Sequence, residues 1–311
     1  MASPIIIDCD PGVDDAIALL FAFGHASPDL GALLGITTVA GNVPLALTFS
    51  NARKICALAG KPNMPVYAGC PRPILRPLAT AEEVHGANGL QGADLNEPTT
   101  EKQTLHGVDF LIATLLEAPD PVRIAALGPL TNIAIALIKC PQIAEKIAQI
   151  VIMGGAIKAG NITPAAEFNI HVDPHAAAVV FAAGIATTLI TLDTTHQVLT
   201  TPERLDAIRE IGNPASTAAA GMLSFYGQGD RQRDGLAGAP LHDPCVMAYL
   251  LAPELFTTRP AAVTVETEGD AVGRTIVDWV TDGKDAPIQV VEKVDAAGVY
   301  ALVLSGLASF S

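Results

Sequence analysis

PIIIDCDPGVDDAIALLFAFG, residues 4–24, decides the reading of this chain. Three consecutive isoleucines, Ile5 to Ile7, make a short β-branched run apolar on both faces. Pro11-Gly12 turns the chain, and Asp14 opens a segment whose apolar residues recur at helical spacing. The stretch therefore predicts a strand, Pro4–Asp10, a tight turn and a helix, Asp14–Gly24. The same rhythm continues outward, with strands expected at Leu33–Val39, Arg123–Leu127, Ile150–Met153 and Thr187–Leu192. Helices are expected at Leu45–Gly60, Val108–Glu117 and Leu130–Ile138. Doubly apolar strands alternating with helices imply an α/β fold with a mainly parallel central sheet flanked by helices. Ligands of such sheets bind beyond the carboxyl ends of the strands.

Composition narrows the class. Of 311 residues, 50% are hydrophobic and 16% charged, which suits a folded protein and excludes a disordered one. With no repeat or low-complexity linker, residues 1–311 read as one domain. Eighteen Lys+Arg against 32 Asp+Glu leave a formal charge of −14, the wrong sign for a nucleic-acid partner. Five scattered cysteines without a CxxC pair argue against disulfides or a zinc knuckle and for a reducing, cytoplasmic setting. The N-terminus lacks the basic segment and long apolar run of a signal peptide. Residues 176–192 carry no charge, yet they are short for a membrane span. A helix ending at Gly184 followed by a strand explains them better. Residues 69–104 and 227–240, rich in Pro and Gly, read as long surface loops near a site. Residues 255–304 alternate short β-type runs with turns and extend the sheet.

The chemistry concentrates where the first strand ends. Asp8 and Asp10 share one strand face, and Asp14 and Asp15 follow at the start of the helix. Four converging carboxylates repel unless protonated or neutralised, and a hard divalent cation, calcium or magnesium, is the economical partner. The bland alternative has Asp14 capping the helix and Asp8 held by backbone donors. An EF-hand is excluded, since its required Gly and Glu positions hold Val13 and Leu19. A haloacid-dehalogenase-type phosphatase would use Asp8 as nucleophile and Asp10 as acid, but its later Lys and acidic pair have no convincing counterpart.

Residues 8–16, DCDPGVDDA, resemble the N-terminal signature of the nucleoside hydrolase family, enzymes that cleave the N-glycosidic bond of ribonucleosides. Further segments match in order: VAGN (39–42), HGANGL (85–90), ALGPLTNIA (126–134), VIMGG (151–155), AEFNIHVDP (166–174), LDTTHQ (192–197) and LHDP (241–244). The resemblance spans nearly the whole chain and implies the family's Rossmann-like fold. It also implies a calcium ion on Asp10, Asp15, Asp243 and the carbonyl of Leu127. That ion would hold a water and the ribose 2′- and 3′-hydroxyls, with Asp10 as general base. Asp14, Asn42, Asn169 and Asp243 would hold the diol or the water. Asn161 and Glu167 would reach the 5′-hydroxyl, and Met153 and Phe168 would line the pocket. His242 would serve the leaving base as general acid, and His85 would contact that base. A homodimer or homotetramer is implied by the resemblance alone.

These residue types make sense on their own. N-glycoside cleavage develops positive charge on the ribose, which a carboxylate-rich pocket stabilises. The same pocket would repel a phosphate. Bland readings compete at several positions: Asn42 as a turn residue, Met153 as core filler, and Asp173 as an N-cap before Pro174 rather than part of a metal-like HVDPH. The Thr pair of LDTTHQ and His196 read as structural. Pyrimidine-preferring members of the family it resembles often carry a Tyr eight positions before the HD pair, where this chain has Asp234, and a Gln where it has Asp230. Phe225, Tyr226, Gln228, Arg231 and Arg233 are near enough to compensate, so base preference stays open. The competing functions are a magnesium-dependent phosphatase and a nucleoside- or ribose-binding module without turnover.

Overall fold

The unit expected from residues 4–24 forms, and it is largely buried. The computed structural model describes residues 2–26, 29–98, 100–226, 235–280 and 288–310. In it, β1 (Ile5–Cys9) runs through the Asp10-Pro11-Gly12 turn into α1 (Val13–Gly24). The other strands are β2 (Leu33–Thr38), β3 (Val66–Ala68), β4 (Val122–Ala126), β5 (Ile147–Met153) and β6 (Thr187–Ile190), then β9 (Phe256–Val265), β10 (Thr275–Trp279) and β11 (Ile288–Val294). They form one nine-stranded sheet in the order β10-β9-β11-β6-β5-β4-β1-β2-β3. Only β9 runs against its neighbours; from β11 to β3 every pairing is parallel. The short β7 (Leu199–Thr200) and β8 (Ala239–Pro240) pair separately.

Strand alternation sorts β1 between two apolar layers. Ile5, Ile7 and Cys9 face the layer of α1, α2 (Leu45–Leu58), α9 (Pro202–Ile211), α10 (Pro214–Phe225), α11 (Pro244–Leu251) and α12 (Ala296–Ala308). Ile6 faces α4 (Gly107–Glu117), α5 (Thr131–Lys139) and α7 (Pro174–Phe181). All three isoleucines are buried, each stabilising the fold by about 1.5–3 kcal/mol. The chain leaves β1 towards β2 and β3 on one side and later fills β4, β5 and β6 on the other. Strand order thus reverses between β1 and β4, which opens a crevice at their carboxyl ends. Asp10 and Leu127 lie there.

Three expectations need correction. Strand β5 begins at Ile147 rather than Ile150, because the ladder to β4 carries the polar Gln149 into register opposite Arg123. Residues 255–304 do extend the sheet, except that 296–304 belong to α12. Asp295 caps that helix by accepting from Ala297 N and Gly298 N, and Val299, Val303 and Leu307 are buried at helical spacing. Residues 69–104 are not merely a surface loop, since they contain α3 (Glu82–His85) and bury Ala81, His85 and Leu90. Asp173 holds this segment down by accepting from Ile74 N at 2.9 Å, and it caps α7 as expected. The uncharged stretch 176–192 divides into α7 and β6, with Gly184 between them. Among the described residues no helix is long and apolar enough to cross a membrane. Residues 227–234, including Gln228, Asp230, Arg231, Arg233 and Asp234, lie outside the described residues.

Candidate active site

Local structure builds the acidic floor first. Asp15, at the third position of α1, turns back to accept Asp10 N and Gly12 N, each at 3.0 Å. This closes the turn and satisfies free donors at the helix start. Asn42 lies against the same turn from the end of β2. Its backbone N–H donates to Asp10 Oδ2 at 2.7 Å, and its side-chain amide donates to Asp15 Oδ2 at 3.0 Å and Asp10 O at 3.2 Å. Asn42 is therefore more than a turn residue. Asp10 Oδ1 is buried without a hydrogen-bond partner. Its carboxylate is flanked by two glycines: a Cβ at Gly41 would lie 2.0 Å from Oδ2, and one at Gly128 would lie 2.2 Å from Oδ1. Any side chain at either position would displace it.

Asp243, more than two hundred residues later, completes the floor. Carboxylate oxygens of Asp14, Asp15 and Asp243 lie within 4.8 Å of one another, and all three residues are buried. Asp10, expected beside Asp15 and Asp243, is not in that group. Burial, and after it the charge of Asp15, raises the Asp14 carboxyl to about 7. Burial drives Asp10 and Asp243 well above the ordinary range, and repulsion from neighbouring carboxylates adds to it. Asp15 is raised by burial despite its backbone donors. Asp8 is different. Its Oδ2 accepts from Thr37 Oγ1 at 2.5 Å and Asn132 Nδ2 at 2.8 Å, so side chains rather than backbone donors hold it. It does not line the cavity, and of the expected site residues neither do Asp10 and Asp15.

Above the floor is a cavity of about 460 Å³. Eleven of the expected residues line it: Asp14, Asn42, His85, Leu127, Met153, Asn161, Glu167, Phe168, Asn169, His242 and Asp243. Glu167 caps α6 (Phe168–Val172), accepting from Asn169 N at 2.8 Å, Gly155 N at 2.9 Å and Ile170 N at 3.1 Å. Burial still raises its carboxyl. Asn161 accepts from Phe168 N at 2.9 Å, and Asn169 donates to the carbonyls of Leu127 at 2.8 Å and Met153 at 3.2 Å. One network thus joins the ends of β4 and β5 to α6.

Two histidines stand over the carboxylates. His85 Nδ1 accepts Val13 N at 3.0 Å and lies 4.0 Å from Asp14 Oδ1. The 85–90 loop is held down by Asn51, which donates to Asn88 O and Pro11 O. His242 Nδ1 is 2.7 Å from Thr195 Oγ1. Burial lowers both imidazoles to about 3; for His242 the nearby His196 and His85 add to the effect. Sequence reasoning missed Ala81, Glu83, Val84 and Ile162 in the lining and noted Phe225 and Tyr226 only as neighbours. Tyr226 hydrogen-bonds Asp14 and packs its ring 5.3 Å from that of His85. No local signal marks it, because its partners are distant in sequence.

Over residues 5–301 the sequence matches the family described as inosine-uridine preferring nucleoside hydrolase. A relative from Citrobacter koseri, the pyrimidine-specific ribonucleoside hydrolase RihA, is 44% identical over the full length of both chains. The plant nucleoside hydrolase PpNRh1 superposes with a TM-score of 0.90 at 33% identity, over 99% of each chain. A purine-preferring ribonucleoside hydrolase from Gardnerella vaginalis gives 0.91 at 34% identity, over 98% of this chain and 99% of its own.

Proposed function

Because the chain belongs to the inosine-uridine preferring nucleoside hydrolase family and is a ribonucleoside hydrolase, we propose that it releases the base of pyrimidine ribonucleosides in preference to purine ones. The observation that carries the glycosidic chemistry is the set of buried carboxylates at the floor of the cavity. Positive charge developing on a ribose there is stabilised more in the transition state than in the ground state. The pyrimidine preference follows the relative that is 44% identical over its full length, against the departure at Asp234. It is tested by base release from uridine, cytidine, inosine, adenosine and guanosine. Uridine or cytidine is expected to lead by about tenfold or more in kcat/KM; a purine nucleoside in first place overturns the preference and leaves the reaction intact.

A divalent cation fits these residues. The Asp14, Asp15 and Asp243 oxygens form a hard, anionic donor set whose mutual repulsion a cation would relieve, and Asp10, whose backbone N–H Asp15 accepts, keeps one buried oxygen unpartnered. We assign calcium, with Asp10, Asp15, Asp243 and the Leu127 carbonyl as the residues that would hold it. When bound, the cation supplies charge that acidifies a water and orients the ribose diol. The protein's own residues do the remaining work. Asp10 accepts the proton of the attacking water. Asp14, Asn42, Asn169 and Asp243 hold the diol or the water, while Asn161 and Glu167 meet the 5′-hydroxyl. Met153 and Phe168 close off the apolar wall. His242 donates to the departing base, and His85 contacts it. The unpaired cysteines suit a cytoplasmic enzyme, and a homodimer or homotetramer is the assembly proposed.

A 5′-phosphate would meet Glu167, whose oxygens already face backbone donors. Like charges about 4 Å apart at an effective dielectric near 20 cost about 4 kcal/mol, close to a thousandfold in rate. Uridine 5′-monophosphate is therefore expected to turn over at least about a hundredfold more slowly than uridine. Comparable kcat/KM for the two would refute the placement of Glu167 at the 5′ end.

A further inference from the structure

The Thr-Thr pair of residues 194 and 195 has no part in the chemistry above, yet its two hydroxyls are used differently. Both side chains are buried in α8 (Leu192–Thr195). Thr194 donates to Val291 O at 2.7 Å, a bond that ties the helix to β11. Thr195 Oγ1 lies 2.7 Å from His242 Nδ1. Its other neighbour, Leu192 O, is 3.5 Å away and already accepts His196 N at 2.9 Å.

A hydroxyl has one hydrogen to place. If it went to Leu192 O, the bond would be long and would serve a carbonyl that is already paired. Given to Nδ1, it makes a short bond and leaves no donor unused. An imidazole with one hydrogen must then carry it on Nε2. That nitrogen has no hydrogen bond among the described residues, and the ring lines the cavity.

We infer that Thr195 is a positioning residue that fixes His242 in the tautomer presenting an Nε2–H donor to the departing base. The inference rests on the leaving-group role proposed for His242. As the C–N bond breaks, its electron pair passes to the base, and the Nε2–H stabilises that pair by a hydrogen bond while the ring keeps its proton. With the other tautomer, Nε2 would present a lone pair to a lone pair.

The test compares uridine with 4-nitrophenyl β-ribofuranoside, whose nitrophenolate leaves without a donor, using cation-loaded enzyme. The readout is the ratio of the two kcat values relative to that of the parent enzyme. Thr195→Val is expected to lower this ratio at least about tenfold, in the direction of His242→Ala, and Thr195→Ser to restore it within about threefold. An equal fall on both substrates would assign Thr195 a structural role only, and no fall on either would also overturn the inference. If His242→Ala lowers the ratio but Thr195→Val does not, the inference fails while the role of His242 stands. If His242→Ala leaves the ratio unaltered, both fail together. Thr195→Ala serves the same comparison should the Val variant not fold.

Discussion

Asp10→Ala is expected to reduce turnover of the best nucleoside by about a thousandfold or more, with the protein still folded. That loss corresponds to about 4 kcal/mol of transition-state stabilisation. Asp10 lies where strand order reverses, just beyond β1, and one of its oxygens is held by Asn42 N at 2.7 Å. The other oxygen is buried and unpartnered, so it is available to a water proton or a cation. Gly41 and Gly128 leave room for this carboxylate and nothing larger, which fixes its direction. Removing it deletes the proposed base and one anionic group together. Turnover at saturating calcium, measured with the melting temperature as a control on folding, checks the expectation. A loss below about tenfold in a folded variant would take Asp10 out of the reaction.

Removing the cation is the second large effect. Metal-free protein is expected to release no base, and to melt about 5–10 °C lower than the loaded protein at pH near 8. A cation at a thousandfold excess over its Kd stabilises by about 4 kcal/mol, and chains of this size shift by about 2 °C per kcal/mol. The pH dependence has an unusual sign. Burial raises the Asp8 and Asp14 carboxyls from the ordinary carboxylate range to about 7 in the folded protein. The folded state therefore holds protons that the unfolded chain releases. The stability linked to these groups is full below about pH 4 and is lost as pH rises through about 7. A cation among Asp14, Asp15 and Asp243 would compete with the Asp14 proton, so its contribution should grow with pH. Melting curves of metal-free and loaded protein at about pH 5.5 and pH 8 are expected to diverge at the higher value. Equal differences at both, or restored turnover without any divalent cation, would count against the metal site.

Much of the site was legible because it is local. DCDPGVDD places four carboxylates within eight residues, and strand-turn-helix geometry brings Asp10, Asp14 and Asp15 to the carboxyl end of β1, while Asp8 is held by Thr37 and Asn132. Asn42, Leu127 and Met153 follow the ends of β2, β4 and β5 closely enough for the rule of carboxyl-end binding to find them. Capping explains Glu167 in a way the alternation of polar residues did not: it holds Gly155, Asn169 and Ile170 by their backbone N–H groups. The boundary of β5 and the helix at 296–308 were misread because a ladder partner and a buried helical face override local preference.

By itself the sequence determined the strand-turn-helix nucleus, the acidic character of the site and the family resemblance, since each is written in contiguous residues. Only the tertiary structure decided which distant groups meet. It carries Asp243 to Asp14 and Asp15, Tyr226 to Asp14 and His85, and Thr195 to His242. The reason is desolvation. A carboxylate or imidazole changes its proton affinity and its partners only once folding has taken it out of water, and that depends on the whole sheet and both of its helical layers.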